Sequence, residues 1–183
     1  MKITWSRIAR RIRVPLGFLV AAFFLWLARP SFLFMALSLV LVAPGLALRS
    51  YASGYVKKNA ELTTTGPYAY TRNPLYLGSM MIAFGFAVAS RHAWIALALA
   101  VLFAVIYLPV IHSEEAFLRS TFTSFDAYAA KVPRLIPRLT PAMGEAAGGG
   151  FSASLYRQHR EYNAVIGVAA IYAALALRLL LWR

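Results

Sequence analysis

The chain has 183 residues, 61% of them apolar, and carries 19 Lys and Arg against 6 Asp and Glu, a net charge of +13. It has no cysteine, which excludes disulfides and thiolate metal sites, and its 3 histidines are scattered, without metal-ligand spacing. The apolar residues come in blocks too long and too poor in charge for a water-soluble core, so the expected solvent is lipid.

Residues 1–13 form a basic segment in which Trp5, Ile8 and Ile12 lie at helical spacing among arginines, the pattern of a short interfacial helix. The first apolar block, Val14 to Ala28, covers roughly 22 Å against a hydrocarbon layer of about 30 Å, so Arg13 and Arg29 must snorkel or the bilayer must thin. It imitates a secretory signal, but "WLARPSF" offers no clean small-x-small cleavage site, and the expectation is that it is retained. Only Arg29-Pro30-Ser31 separates it from the second block, Phe32 to Leu48, which predicts a tight helical hairpin. A third block, Pro74 to Ala89, begins with Asn73 as N-cap and Pro74 at the first helical position. Within it Ser79, Ala83 and Ala87 recur every four residues, as close helix packing requires. After Ser90-Arg91-His92 comes the fourth block, Ala93 to Ile111, where Pro109 deprives the Val105 carbonyl of its helical donor and predicts a kink. From Ser113 to Ala130, apolar residues at Phe117, Leu118, Phe122, Phe125 and Tyr128 predict an amphipathic segment on the membrane surface. It is broken by "VPRLIPRLTP" and followed by the flexible "GEAAGGG", Gly144 to Gly150. A last block, Ala164 to Leu181, reads as an appended span at the periphery or in self-association.

The expected fold is therefore an all-α integral membrane protein of about five transmembrane helices with an amphipathic helical segment on the cytoplasmic face. Its core would occupy residues 14–140, with a linker and polar segment over 141–162 and the appended helix over 163–183. Positive loops stay cytoplasmic, and a cytoplasmic N-terminus puts fifteen of the 19 Lys and Arg on that side. Basic residues beside spans meet anionic headgroups, so the charge does not call for nucleic acid, and no recognition motif for it is visible. A bacterial inner membrane is the expected location, with any chemistry on the cytoplasmic face, because both long loops fall there.

Two constellations stand out. The first is "GPYAYTRNPLYLG", Gly66 to Gly78, at the start of the third span. A helix N-terminus there, with Arg72 beside it, would seat a carboxylate or phosphate. The plain alternative is a helix start with Tyr68, Tyr70 and Tyr76 as an aromatic belt. The second is Glu114-Glu115 at the end of the fourth span. Carboxylates next to hydrocarbon are costly and call for a positive partner, which Arg72 can be, because spans three and four are antiparallel. Successive helical residues lie about 100° apart, so the two carboxylates cannot share a face; one can look into the bundle while the other meets a basic loop. His112 and Tyr107 provide polar or aromatic companions on those faces. The alternative is a solvated helix end.

Together, "GPYAYTRNPLYLG" and "HSEEAFLRSTFTSFDAYAAKVPRLIPR" resemble the membrane methyltransferases that include isoprenylcysteine carboxyl methyltransferases and phospholipid N-methyltransferases. The resemblance covers Gly66 to Arg138. Asn73 stands where many members have histidine, and the usual Phe-Gly after the acidic helix is absent at Thr123 to Phe125. The resemblance implies S-adenosylmethionine as cofactor, bound by Tyr68, Arg72, Asn73, Pro74, Tyr76, Gly78, Glu114 and Glu115, with Arg72, Glu115 and His112 as catalytic candidates and no metal. The acceptor would be a lipophilic small molecule or lipidated group reached from the membrane lipids. Carboxyl O-methylation of an isoprenylcysteine-like compound leads; phospholipid or other lipid N-methylation is the alternative, and a non-catalytic binding or scaffold protein of the same fold is the second. The oligomeric state is left open.

Overall fold

The computed structural model describes residues 5–57, 60–142 and 150–181. Among them every regular element is helical: α1 Trp5–Leu27, α2 Phe32–Ser53, a 3-10 turn Gly66–Ala69, α3 Pro74–Ser90, α4 Ala93–Leu102, a π-turn Phe103–Tyr107, α5 Leu108–Thr121, α6 Phe125–Lys131, α7 Ala153–Gln158 and α8 Tyr162–Leu181. By length and composition three helical stretches can cross a membrane, Phe32–Ser53, Ala93–Thr121 and Tyr162–Leu181. Pro15–Leu27 and Pro74–Ser90 are shorter apolar helices, where the sequence predicted spans like the other three. Large apolar side chains such as Phe18, Trp26, Val40, Trp94 and Ile166 face outward. Such a surface belongs in lipid, and the protein is integral to a membrane.

Several boundaries differ from expectation. The basic leader is not a separate interfacial helix: α1 runs unbroken from Trp5 through Pro15. The glycine-rich linker lies outside the described residues apart from Gly150. The acidic pair does not sit at a helix end, because α5 continues to Thr121. The amphipathic stretch after it divides at residues 122–124, where the chain turns before α6. Pro109 leaves its mark on the ladder before it. Since it cannot donate, the ladder lengthens just before it, and the Leu108 N–H reaches the Phe103 carbonyl across a π-turn.

At one end of the bundle both tight connections meet, the Arg29 N–H donating to the Ser90 carbonyl at 2.9 Å. Ser31 caps α2 by accepting from Phe34 N–H, and Arg91 ends α3 in the left-handed conformation (φ 54°). Between the ends, α2 and α3 pack backbone to backbone. A Cβ on Gly78 would lie 2.7 Å from the Gly45 carbonyl, and one on Gly85 2.4 Å from Val42. The close-packing stripe of α3 is thus glycine, shifted from the predicted Ser79-Ala83-Ala87 register. Ala87 is in the core, while Ser79 and Ala83 line a crevice below α8.

Candidate functional site

At the end of the bundle opposite the tight turns, two loop segments are laced together. The Thr71 hydroxyl donates to the Arg134 and Leu135 carbonyls, both at 3.1 Å. Arg72 N–H donates to Pro133, Arg138 N–H to Tyr70 and Ala142 N–H to Ala69. The prolines of this stretch lack an N–H but keep their carbonyls, and with the Arg138 N–H the stretch serves as a strap for the segment entering α3. Beneath it the Tyr128 hydroxyl donates to the Tyr68 carbonyl at 2.8 Å, and Phe125, Tyr128 and Val132 form a buried cluster.

Glu115 is the hub of this region. Its side chain is only 8% exposed. Arg72 holds it with Nε at 3.0 Å from Oε1 and the Nη2 at 3.4 Å from Oε2. Arg134 holds Oε2 from the other side, Nε at 3.0 Å and Nη2 at 2.8 Å. Asn73 Nδ2 adds a bond to Oε1 at 3.2 Å and a second to the Arg134 carbonyl at 3.1 Å. Asn73 is therefore at the N-cap position of α3 without capping it; its side chain is spent on Glu115. A carboxylate with two guanidiniums and an amide is saturated, which is what allows it to be buried.

Glu114 points elsewhere. Its Oε1 accepts from the Tyr76 hydroxyl at 3.0 Å, and no Lys or Arg pairs with it among the residues whose side chains are described, which leave out residues 5–7 and 9–14. Tyr76 in turn stands edge-on to Tyr107, 5.9 Å between centroids, and Tyr107 stacks on Phe103 at 5.6 Å. The π-turn supplies that support.

A cavity of about 470 Å³ opens here, bounded by Tyr68, Arg72 to Tyr76, Glu114, Glu115, Lys57 and the apolar Phe117, Leu118 and Phe125. This is within the range of about 300–1,000 Å³ for small-molecule sites. Burial, with the nearby Tyr128 phenol and the Glu114 carboxylate adding to it, pushes the Tyr68 phenol well above its ordinary range. Burial does the same to Tyr128, so both remain hydroxyl donors at neutral pH. The Tyr68 hydroxyl has no hydrogen-bond partner among the described residues.

Of the candidates read from sequence, Tyr68, Arg72, Asn73, Pro74, Tyr76, Glu114 and Glu115 come together around this cavity. Two do not. Gly78 faces α2, where its missing Cβ admits the Gly45 carbonyl and the Arg49 stem. His112 lies outside the wall, its Nε2 3.0 Å from an Arg134 Nη1. It shares the face of Glu115, three residues on, and that face looks at the strap. Sequence reading missed Arg134 as a partner of Glu115, although the V-P-R it belongs to was in view, and missed the Arg49–Glu161 ion pair at 2.5 Å.

The residues fit S-adenosylmethionine chemically. An ammonium and a sulfonium ask for a carboxylate and aromatic faces, which Glu114, Tyr76 and Tyr68 provide; a carboxylate asks for cationic or N–H donors, which the side-chain-uncapped start of α3 provides together with Lys57, itself paired with Glu61 at 2.9 Å in the same wall. Among the described residues no group of three His, Asp or Glu comes together to hold a metal ion.

Comparison with known proteins agrees with this architecture. A family model described as phospholipid methyltransferase matches residues 16–124. The cobalt-zinc-cadmium resistance protein CzcN of Cupriavidus metallidurans is 38% identical over 52% of this chain and 44% of its own length. The nickel-cobalt-cadmium resistance protein NccN of Alcaligenes xylosoxydans is 40% identical over 49% of this chain and 41% of its own. The chain thus spans less than half the length of these curated relatives. No solved structure matches.

Proposed function

Because the chain belongs to the phospholipid methyltransferase family, we propose that it is an S-adenosylmethionine-dependent methyltransferase acting on a lipophilic acceptor, with the Glu114 cavity as donor site on the cytoplasmic face. The observation that carries the reading is a carboxylate with one phenol and no cationic partner among the residues whose side chains are described, set in a cavity at a helix N-terminus. The cofactor supplies an electrophilic methyl group on a sulfonium. Glu114 and the tyrosine rings hold its cationic part, and Lys57 with the start of α3 its carboxylate. Arg72 and Glu115 are positioning residues: by neutralising each other they fix the Tyr68 to Tyr76 segment against α5. Phe117, Leu118 and Phe125 exclude water, which favours a step in which charge is neutralised.

Carboxyl O-methylation of an isoprenylcysteine-like acceptor remains the leading reaction. Such a carboxylate is already ionised and needs no base, and the cavity wall includes no imidazole now that His112 lies outside it. Lipid N-methylation needs a proton acceptor, and the Tyr76–Glu114 pair is the group that could serve.

The test is calorimetric binding of S-adenosylmethionine by detergent-solubilised protein, followed by incubation of labelled cofactor with membrane extract and identification of the labelled product. Glu114→Gln is expected to weaken cofactor binding about 10- to 100-fold, the equivalent of one charge-assisted hydrogen bond, with no change in the thermal midpoint. Unchanged affinity would remove Glu114 from the site. The relatives' names give the in-cell arm, growth on cobalt or nickel with the parent chain and with Glu114→Gln.

A further inference from the structure

A second cavity, of about 510 Å³, lies beneath α8, shares no lining residue with the Glu114 cavity and is partly outside the family-matched region. It exists because α8 is fastened at its two ends and slack in between. At the far end Leu175 is fully buried with Phe24 and Phe86, Tyr172 meets Ser38 through a hydroxyl pair at 2.5 Å, and Arg178 donates to the Leu25 and Trp26 carbonyls. At the near end Glu161 holds Arg49. Between the clamps α8 presents Ala164, Gly167 and Val168; Val168 packs against the Phe24–Phe86 cluster, but a Cβ built on Gly167 of α8 or on Gly17 of α1 would meet nothing within 4 Å. The crevice extends over about seven residues of α8, roughly 10 Å, about two-thirds of one hydrocarbon leaflet.

Its lining is apolar except at one end, where Arg49 and Ser79 stand. Arg49 gives Nε to Glu161 and one Nη to Ser79 and to the Leu75 carbonyl, and its other Nη has no hydrogen bond among the described residues. Glu161 pairs with Arg49, and the exposed Arg157 and Arg160, four residues and one residue before it in the chain, leave this stretch with a net positive charge.

We propose that the crevice seats one hydrocarbon chain of an anionic phospholipid, whose phosphate lies against the Arg49 rim. An apolar slot open to the bilayer takes a chain without desolvation cost, and the cationic rim selects the headgroup. Because Arg49 also bonds the carbonyl of Leu75, a wall residue of the Glu114 cavity, the headgroup would lie next to that wall. The seat does not depend on methyl transfer and is tested without it.

The experiment uses the full chain reconstituted in phosphatidylcholine vesicles carrying a trace of phosphatidylglycerol with a photoactivatable diazirine on one acyl chain, and the crosslinked residues are mapped by mass spectrometry. The expected labels fall on the inward residues of α8, Ala164 to Ile171, and on Ile82 to Phe86 of α3. Gly167→Phe, which fills the crevice, should lower that labelling about tenfold, a loss of about 1.4 kcal/mol, while Ile166→Phe on the outward face leaves it unchanged. A phosphatidylcholine probe of the same chain should label the crevice several-fold less. Labels confined to the outward face of α8, equal labelling by both lipids, or equal effects of the two substitutions would each overturn the proposal. The wild-type map decides the matter even where Gly167→Phe fails to fold. Cofactor affinity, read separately, reports on the Glu114 site alone.

Discussion

Two carboxylates, Glu115 and Glu161, hold loop or helix to the bundle, and they do so very differently. Glu115 draws on Arg72, Arg134 and Asn73, three side chains from two segments that are also laced by backbone bonds. Glu161 has the single ion pair with Arg49, whose side chain is 24% exposed. The first is a fastener whose removal leaves Arg72 uncompensated at the wall of a cavity and Arg134 on the strap without its carboxylate. The second is a clip on an element that the crevice already keeps at a distance. The proposed cofactor site lies on the fastened side and the proposed lipid seat on the yielding one.

The sharpest way to break the comparison is Glu115→Ala, which should cost about 3–5 kcal/mol and lower the thermal midpoint in detergent well below that of any other single change considered, because the largely buried Arg72 loses its partner and Arg134 loses its hold on α5. Glu161→Gln should cost about 1.5–3 kcal/mol at most, and hydrogen exchange should show the loss confined to α8, with the strap unaffected. If both variants open the whole molecule equally, the two sides are not independent. The smallest effect expected is from Tyr128→Phe, about 1 kcal/mol for one buried hydroxyl bond to the Tyr68 carbonyl, read as faster exchange in residues 66–72.

Much of this was legible in the chain. The apolar runs located every long helix, since lipid demands length and freedom from charge, and the scarcity of acids made Glu114-Glu115 conspicuous enough to be matched with Arg72. That the two glutamates part ways followed from helical geometry; which way each turned did not, because it depends on where the strap crosses. Arg134 was visible only as part of a V-P-R motif, and its reach to Glu115 required the fold of the proline-rich segment. Arg49 and Glu161 are separated by more than a hundred residues and by chain whose course no periodicity sets. Gly78 was assigned to the cofactor because of its place in the motif, whereas backbone contact with Gly45 is what forbids a side chain there.

The π-turn at Phe103–Tyr107 bears on all of this. It inserts one residue into the register of a helix that would otherwise run straight from lipid to loop, and one residue is about 100° of rotation. Without it, α5 would swing round its own axis by more than a quarter of a circle. Glu114 would then look away from Tyr76 and Glu115 away from its arginines. The bearing of both acids is therefore dialled in half a span earlier, by a stretch of five residues, Phe-Ala-Val-Ile-Tyr, that contains no charge at all.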